Sequence, residues 1–285
     1  LPSGVYRNAF ISSAQVAATI ADQRIQGVSL TGSEKAGSAV GEVAGRHLKK
    51  CVLELGGSDP FIVLGDADVD AAAKAGAVGR LGNGGQACTA SKRFLVEDRV
   101  YDEFIDKFTA AMSTWHPSDP TDNATKLGPM ASQAGVDELD ELVRDALAHG
   151  AKALLGGTPS NSAGAFYPPT ILTGVTREMR AFDEELFGPV AVVHRVHSID
   201  EAIDVANDSP FGLASSVFTS DPEQAQRVAR DLETGMVWIN STSKTAPDLP
   251  FGGVKGSGFG RELARFGFTE FANKKLVRNP GKATR

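Results

Sequence analysis

The chain has 285 residues, 41% of them hydrophobic and 22% charged, with 29 Lys and Arg against 35 Asp and Glu for a net charge of −6. A chain of that length has room for roughly two domains and a core that needs no disulfide or metal staples. Its mild acidity gives no electrostatic footprint for nucleic acid or an anionic membrane, and no apolar run approaches the roughly 20 residues of a membrane span. Cys51 and Cys88 cannot make a disulfide framework and suit a reducing, cytoplasmic setting. No CxxC, HxxxH or HExxH spacing occurs, so no metal site is expected. Glycine is the outlier, 31 residues or about 11% against a usual 7% or so, which suggests tight turns or backbone drawn close to a ligand.

The first residue is Leu1, and Leu1-Pro2-Ser3-Gly4 reads as a linker, so the N-terminus is expected to be a truncation. Val5–Ser12 reads as an extended run and Ala14–Arg24 as a helix. A strand at Val28–Thr31 passes through Gly32-Ser33 into a helix reaching about Leu48, and Cys51–Leu55 is a further strand stopped by Gly56-Gly57. The same rhythm continues with strands at Pro60–Leu64 and Arg93–Val96 and helices at Val69–Arg80, Tyr101–Thr114 and Val136–His149. Strands at Pro189–Val196, Ala214–Thr219 and Met236–Asn240 alternate with helices at Ile199–Asn207 and Pro222–Leu232. Strand, glycine turn, helix, strand predicts an α/β protein with a parallel sheet. A Gly-rich stretch, Phe251–Gly260, precedes a last helix and a basic tail, Asn273–Arg285, that carries Lys274, Lys275, Arg278, Lys282 and Arg285. The tail reads as a solvated end or an edge strand guarded by lysines.

Three places could carry chemistry. In Asn83-Gly84-Gly85-Gln86-Ala87-Cys88 the thiol follows a glycine turn. If a helix opens there, its N-terminal field would favour thiolate and its free N–H groups could stabilise an oxyanion. The plainer reading is a small buried hydrophobe. Glu54 interrupts the apolar strand Cys51–Leu55 and either points to solvent at the strand end or lies in a cleft with a raised pKa suited to a general base. Thr31-Gly32-Ser33-Glu34 offers a helix N-terminus for a pyrophosphate, or a capping box with Thr31 as the cap and Glu34 three residues on. Gly256-Ser257-Gly258-Phe259-Gly260 is no dinucleotide fingerprint, because no clear strand feeds into it, and a P-loop is absent.

Taken in order, Val52-Leu53-Glu54-Leu55-Gly56-Gly57, Gly85-Gln86-Ala87-Cys88, Glu184-Glu185-Leu186-Phe187-Gly188-Pro189-Val190 and Pro250-Phe251-Gly252-Gly253-Val254-Lys255-Gly256-Ser257-Gly258 with Gly260-Arg261-Glu262 resemble the signatures of the aldehyde dehydrogenase superfamily. The 34-residue step from Glu54 to Cys88 (88 − 54) also matches. The resemblance extends from Leu1 to about Arg278. It implies that Cys88 is the nucleophile, whose backbone N–H supplies half of an oxyanion hole, and that Glu54 is the base for hydrolysis of the thioester. It implies that Glu185 holds the nicotinamide ribose of NAD or NADP, that Phe187 packs near the nicotinamide, and that Gly32 and Ser33 meet the pyrophosphate. The family's first Rossmann strand and helix, its ribose lysine and its second oxyanion donor, an asparagine, have no counterpart here.

Residues 54–64, Ser91-Lys92-Arg93-Phe94 and Tyr167-Pro168-Pro169-Thr170 look most like bacterial succinate-semialdehyde dehydrogenases, with Lys244 and Thr245 placed to meet the substrate's distal carboxylate. The Arg that some relatives carry six residues before the nucleophile is Gly82 here. The expected architecture is a partial Rossmann-like cofactor domain at 1–54, a catalytic domain at 55–256, and a return helix with an oligomerisation strand at 257–285. A homodimer or homotetramer is implied. The competing expectation is a compromised binding or assembly protein with weak esterase activity, and after it a thiol-dependent hydrolase.

Overall fold

A computed structural model of the chain describes residues 2–160 and 164–279. The first unit runs α1 (Ser13–Ala21), β1 (Gly27–Thr31), α2 (Glu34–Arg46) and β2 (Lys50–Glu54). β1 and β2 are parallel, with Thr31 opposite Glu54 at their shared end. Thr31 is therefore still in the ladder, and the cap of α2 is Ser33, whose Oγ accepts from the Ala36 N–H at 3.3 Å. The capping box expected from Thr31 does not form, because pairing with β2 holds that residue extended.

The chain continues through β3 (Pro60–Val63), α3 (Val69–Leu81), β4 (Arg93–Glu97), α4 (Asp98–Ser113), α5 (Gln133–Ala148), β5 (Lys152–Leu155), β6 (Thr170–Thr173), α6 (Arg180–Asp183) and β7 (Val190–Val196). It then forms α7 (Ile199–Asn207), β8 (Phe211–Gly212), β9 (Ala214–Phe218), α8 (Pro222–Asp231), β10 (Met236–Ile239), β11 (Val254–Lys255), β12 (Gly258–Phe259) and α9 (Ala264–Glu270). Seven strands make one sheet in the order β10-β9-β3-β4-β7-β6-β5, parallel except for β5. β12 adds an antiparallel third strand to β2, and β11 pairs with β8. The Gly-rich stretch 256–260 thus lies against β2.

The central strands are buried on both faces, as a parallel sheet between helices requires. Alternation divides β3. Phe61 and Val63 pack with Phe94, Phe104 and Phe108 beneath α3 and α4, whereas Ile62 and Leu64 face Ala202, Ile203 and Val228 of α7 and α8. Phe94 and Phe108 lie 4.5 Å apart, and Phe61 and Phe218 4.8 Å apart. α5 and α6 close a third cluster on β6 and β7, where Leu139, Val143 and Phe182 meet Leu172 and Val192. Side-chain caps start four of these helices: Asp68 accepts from Ala71, Ser132 from Gly135, Ser198 from Glu201 and Asp221 from Glu223. β4 opens on Arg93, 1% exposed, which donates to the carbonyls of Ser58 (2.8 Å), Val205 (2.7 Å) and Ala206 (2.9 Å). One guanidinium thereby joins the strand starts to the C-terminal end of α7, where a cation also meets the helix dipole.

Val5–Ser12 joins no strand and is exposed throughout, with Phe10 at 97%. The return helix is α9, and residues 272–279 follow it without regular structure, with Leu276 and Val277 exposed. The expected terminal strand is therefore absent among the described residues, and Lys282 and Arg285 lie outside them. No helix among the described residues is long and apolar enough to cross a membrane.

Candidate active site

α3 ends in a tight turn over Gly82–Gly85, where Asn83 (φ 52°), Gly84 (φ 65°) and Gly85 (φ 72°) all take left-handed backbone. Gly85 is obligatory twice over, because a Cβ there would lie 2.1 Å from the Gly188 carbonyl oxygen. Asn83 and Gln86 close the turn reciprocally, each side-chain amide donating to the other's main-chain carbonyl at 3.0 and 3.1 Å. Cys88 follows in a turn that leads to β4, so no helix opens at the thiol. The helix field expected to favour thiolate is missing. Burial, aided by the Asp59, Glu185 and Glu54 carboxyls, pushes the Cys88 thiol up to about 11.

Glu54 ends β2 with Thr31 opposite it on one side and Gly258 on the other. It is 2% exposed, and neither carboxylate oxygen has a hydrogen-bond partner. Burial raises its pKa to about 7, with Glu262 adding to the effect and Arg261 opposing it. The solvated strand-end reading is excluded, because the carboxyl is buried and its pKa raised.

Gly56-Gly57 is where the separate segments meet. The Gly57 N–H donates to Glu185 Oε1 at 2.9 Å, and a Cβ on Gly57 would lie 2.1 Å from the Cys88 carbonyl oxygen. A Cβ on Gly56 would press on the Glu185 carboxylate at 2.9 Å. Burial raises the Glu185 carboxyl, with the Gly57 N–H and Arg80 partly offsetting it. Phe187, 47% exposed, lines an open cleft with Gln86, Leu139, Arg180, Glu184 and Glu185. Gly32 is tied to the same corner by its N–H, which donates to the Glu54 carbonyl at 3.0 Å, and Ser33 caps α2 beside it. Gly57→Ala is expected to push the Cys88 main chain aside by about 1 Å, to cost on the order of 10²-fold in any reaction at the thiol and, as a buried backbone clash, to lower the melting midpoint by several degrees. Alkylation kinetics on the variant check this, and an unchanged rate refutes it.

A second cleft beside the Cys88 turn is lined by Gly82, Asn83, Thr89, Thr242, Ser243 and Lys244. Ser243 Oγ donates to the Thr89 carbonyl at 3.2 Å, which fastens the 241–245 loop to the turn. Lys244 and Thr245 are both exposed, and of the two only Lys244 lines the cleft.

Besides Arg93, three buried charges near the site escaped sequence reasoning. Asp59 accepts from the Ala214 N–H at 3.1 Å through Oδ1, leaves Oδ2 without a partner, and is pushed well above the carboxylate range by burial. Arg80 donates to the Gly85 and Val190 carbonyls, and Lys92 to those of Phe182 and Glu184. The faint signal was Lys92-Arg93 opening an otherwise apolar strand. Among the described residues no group of three or more His, Cys, Asp or Glu is placed to share a metal ion.

The sequence pattern of the aldehyde dehydrogenase family matches residues 1–277. The chain belongs to the aldehyde dehydrogenase family. It is 56% identical over 278 residues to an NADP(+) succinate-semialdehyde dehydrogenase of Deinococcus radiodurans, covering 98% of this chain and 58% of that protein. The crystal structure of succinic semialdehyde dehydrogenase from Streptococcus pyogenes, in complex with NADP+ as the cofactor, superposes with a TM-score of 0.93 at 46% identity, over 96% of this chain and 60% of the other. Lactaldehyde dehydrogenase from Escherichia coli superposes with a TM-score of 0.86 at 35% identity, over 88% and 53%. This aldehyde dehydrogenase chain thus spans under two thirds of the length of these relatives.

Proposed function

We propose that the protein carrying this chain oxidises an aldehyde, succinate semialdehyde foremost, to its carboxylic acid with NADP+ or NAD+. The observation that carries this reading is that the Glu185 carboxyl, held by the Gly57 N–H, and the Glu54 carboxyl both act on the Cys88 thiol, with Glu54 buried, unpartnered and raised to about 7. The NADP+ named for the two succinate-semialdehyde relatives supports the cofactor and the substrate alike.

Cys88 Sγ, as thiolate, bonds to the carbonyl carbon, and the thiohemiacetal oxygen develops charge beside the Cys88 N–H. A nicotinamide cofactor held beside Glu185 and Phe187 would supply the acceptor for the hydride that leaves that carbon. The carbon is then a thioester of Cys88. Glu54 takes a proton from water, the water oxygen bonds to the acyl carbon, and the sulfur leaves as thiolate. A carboxyl with a pKa of about 7 suits this, being basic enough to accept the proton and half ionised near neutral pH.

The residues at hand fit a nucleotide. Side-chain-free Gly56 leaves the Glu185 carboxylate room to meet a ribose, Phe187 is exposed beside it, and Gly32 and Ser33 present the start of α2 to a pyrophosphate. Lys244 is the cation for a distal carboxylate, with Thr245 as its neighbour. Residues 1–54 would serve the cofactor and 55–256 the chemistry, with 257–285 joining copies in a homodimer or homotetramer.

The test follows NADPH or NADH formation with succinate semialdehyde and with a neutral aldehyde of equal length. We expect succinate semialdehyde to be preferred at least about tenfold in kcat/KM, and Lys244→Met to erase the preference. Ester hydrolysis without cofactor reduction would replace this reading with that of a compromised binding protein.

A further inference from the structure

Cys88 lies between two buried cations in sequence, and neither takes part in the chemistry above. Arg80, in the last turn of α3, and Lys92, immediately before β4, are each 1% exposed, and among the described residues neither forms an ion pair. Their donors go to main-chain carbonyls instead. Arg80 reaches the Gly85 carbonyl at 2.7 Å, in the turn that precedes Cys88, and the Val190 carbonyl at 3.4 Å. Lys92 reaches the Phe182 carbonyl at 3.2 Å and the Glu184 carbonyl at 2.8 Å.

The targets share a pattern. Phe182, Glu184 and Val190 bracket Glu185 and Phe187, so one cation grips this segment near its start and the other at its end. Between them the Gly85 turn and Gly188 touch backbone to backbone, too closely for any Cβ at Gly85. Burying two cations is costly even with the Glu185, Asp59 and Asp183 carboxyls acting on them from beyond ion-pair distance, and burial holds the Lys92 ammonium well below the usual lysine range. Two apolar side chains would fill the same space without that cost. What the cations add is direction, since Arg80 fixes carbonyls in two segments far apart in sequence and Lys92 fixes two carbonyls of the segment that carries Glu185.

We propose that Arg80 and Lys92 are positioning residues that clamp the 182–190 segment to the Cys88 turn, Lys92 setting the place of Glu185 through the adjacent Glu184 carbonyl, so that a nicotinamide nucleotide held by Glu185 is aligned with the thiol. The inference rests on the dehydrogenase reading for its ligand and on the hydrogen bonds for its geometry. Lys92 governs the nucleotide side, and Arg80, through Gly85, the thiol side.

The experiment compares the parent with Lys92→Met, which keeps an unbranched apolar stem and deletes the ammonium. It reads NADPH binding by fluorescence, amide hydrogen exchange along 180–190, and alkylation of Cys88 by iodoacetamide. In Lys92→Met the Kd for NADPH is expected to rise about tenfold or more and exchange across 185–188 to quicken by a similar factor. Alkylation should stay within about threefold of the parent, because Arg80 still holds Gly85. Arg80→Met should show the reverse, with altered alkylation and faster exchange across 85–88. Exchange at 185–188 and an NADPH Kd both unchanged in folded Lys92→Met would overturn the clamp, as would a uniform quickening along the whole chain. If Lys92→Met does not fold, Lys92→Gln, whose amide can serve one of the two carbonyls, should give intermediate exchange; parental exchange there also overturns it. All arms use the protein that carries this chain; if that parent binds no NADPH the dehydrogenase reading falls instead, and the exchange pattern by itself then decides the clamp.

Discussion

Glu54→Gln is expected to arrest turnover at the thioester and at the same time to stabilise the fold above neutral pH. The carboxyl is raised from 4.5 to about 7 by burial. The folded state therefore keeps its proton over a range where the unfolded chain has lost it, and stability falls as pH climbs from about 4.5 to about 7. At roughly 1.4 kcal/mol per pKa unit, the ionised group costs the native state on the order of 3 kcal/mol above pH 7. Gln cannot ionise. Urea unfolding should show the variant more stable than the parent by up to that amount at pH 8, with the difference nearly gone at pH 4.5. A pH-independent difference refutes the assignment. In the dehydrogenase assay the variant should release one equivalent of reduced cofactor per Cys88 and then turn over about 10²- to 10⁴-fold more slowly, because only deacylation needs the base. Slow turnover without the burst would place Glu54 elsewhere in the reaction.

The second large effect concerns the thiol. With Cys88 pushed up to about 11, only about one molecule in 10⁴ carries a thiolate at pH 7, some 10²-fold fewer than for a thiol at the usual 9.0. Iodoacetamide should therefore label cofactor-free protein slowly at pH 7, with a rate that climbs about tenfold per pH unit up to the pKa. Iodoacetate should fall further behind it as pH climbs through 7, where the Glu54 carboxyl beside the sulfur ionises and repels an anion. Burial also raises the Cys51 thiol, so the measurement belongs in a Cys51→Ala background. Cys88→Ala should abolish labelling and lower aldehyde oxidation by about 10⁴-fold or more. A labelling profile that levels off below pH 9 would mean that the surroundings described for Cys88 are wrong.

How far the sequence discloses this molecule depends on how local each cause is. The runs around Phe61 and Phe94 are strands because alternating apolar side chains need a helix layer on each face, and a window of five residues contains that message. The helix starts at Asp68, Ser132, Ser198 and Asp221 are equally local, each a side-chain acceptor for an N–H two or three residues on. β5 and β6 are four residues each, and β5 is mostly exposed, so neither carries enough periodicity to be seen. Local pattern and then family resemblance pick out Glu54 and Cys88, and a raised pKa is among the readings of Glu54, but the electrostatics of the thiol are not legible locally. The reversal at the thiol arises because it is buried, because the carboxyls around it come from positions 59, 185 and 54, and because no helix opens there to oppose them. Little that is local singles out Arg80 and Lys92 for the same reason, since the carbonyls they serve at Val190, Phe182 and Glu184 lie about a hundred residues further on.

The strand order also sets a schedule for the chain as it is made. β3 takes β4 on one side and β9 on the other, so Phe61, Ile62 and Val63 have a bare edge until Phe218 has left the ribosome. At about 5–20 residues per second, that wait lasts roughly ten to thirty seconds. An apolar strand with an unpaired edge for so long is a place where nascent chains can capture one another. Slower synthesis between residues 97 and 214 should therefore lower soluble yield more than an equal pause after residue 240, by which point β3 and β9 each have both neighbours.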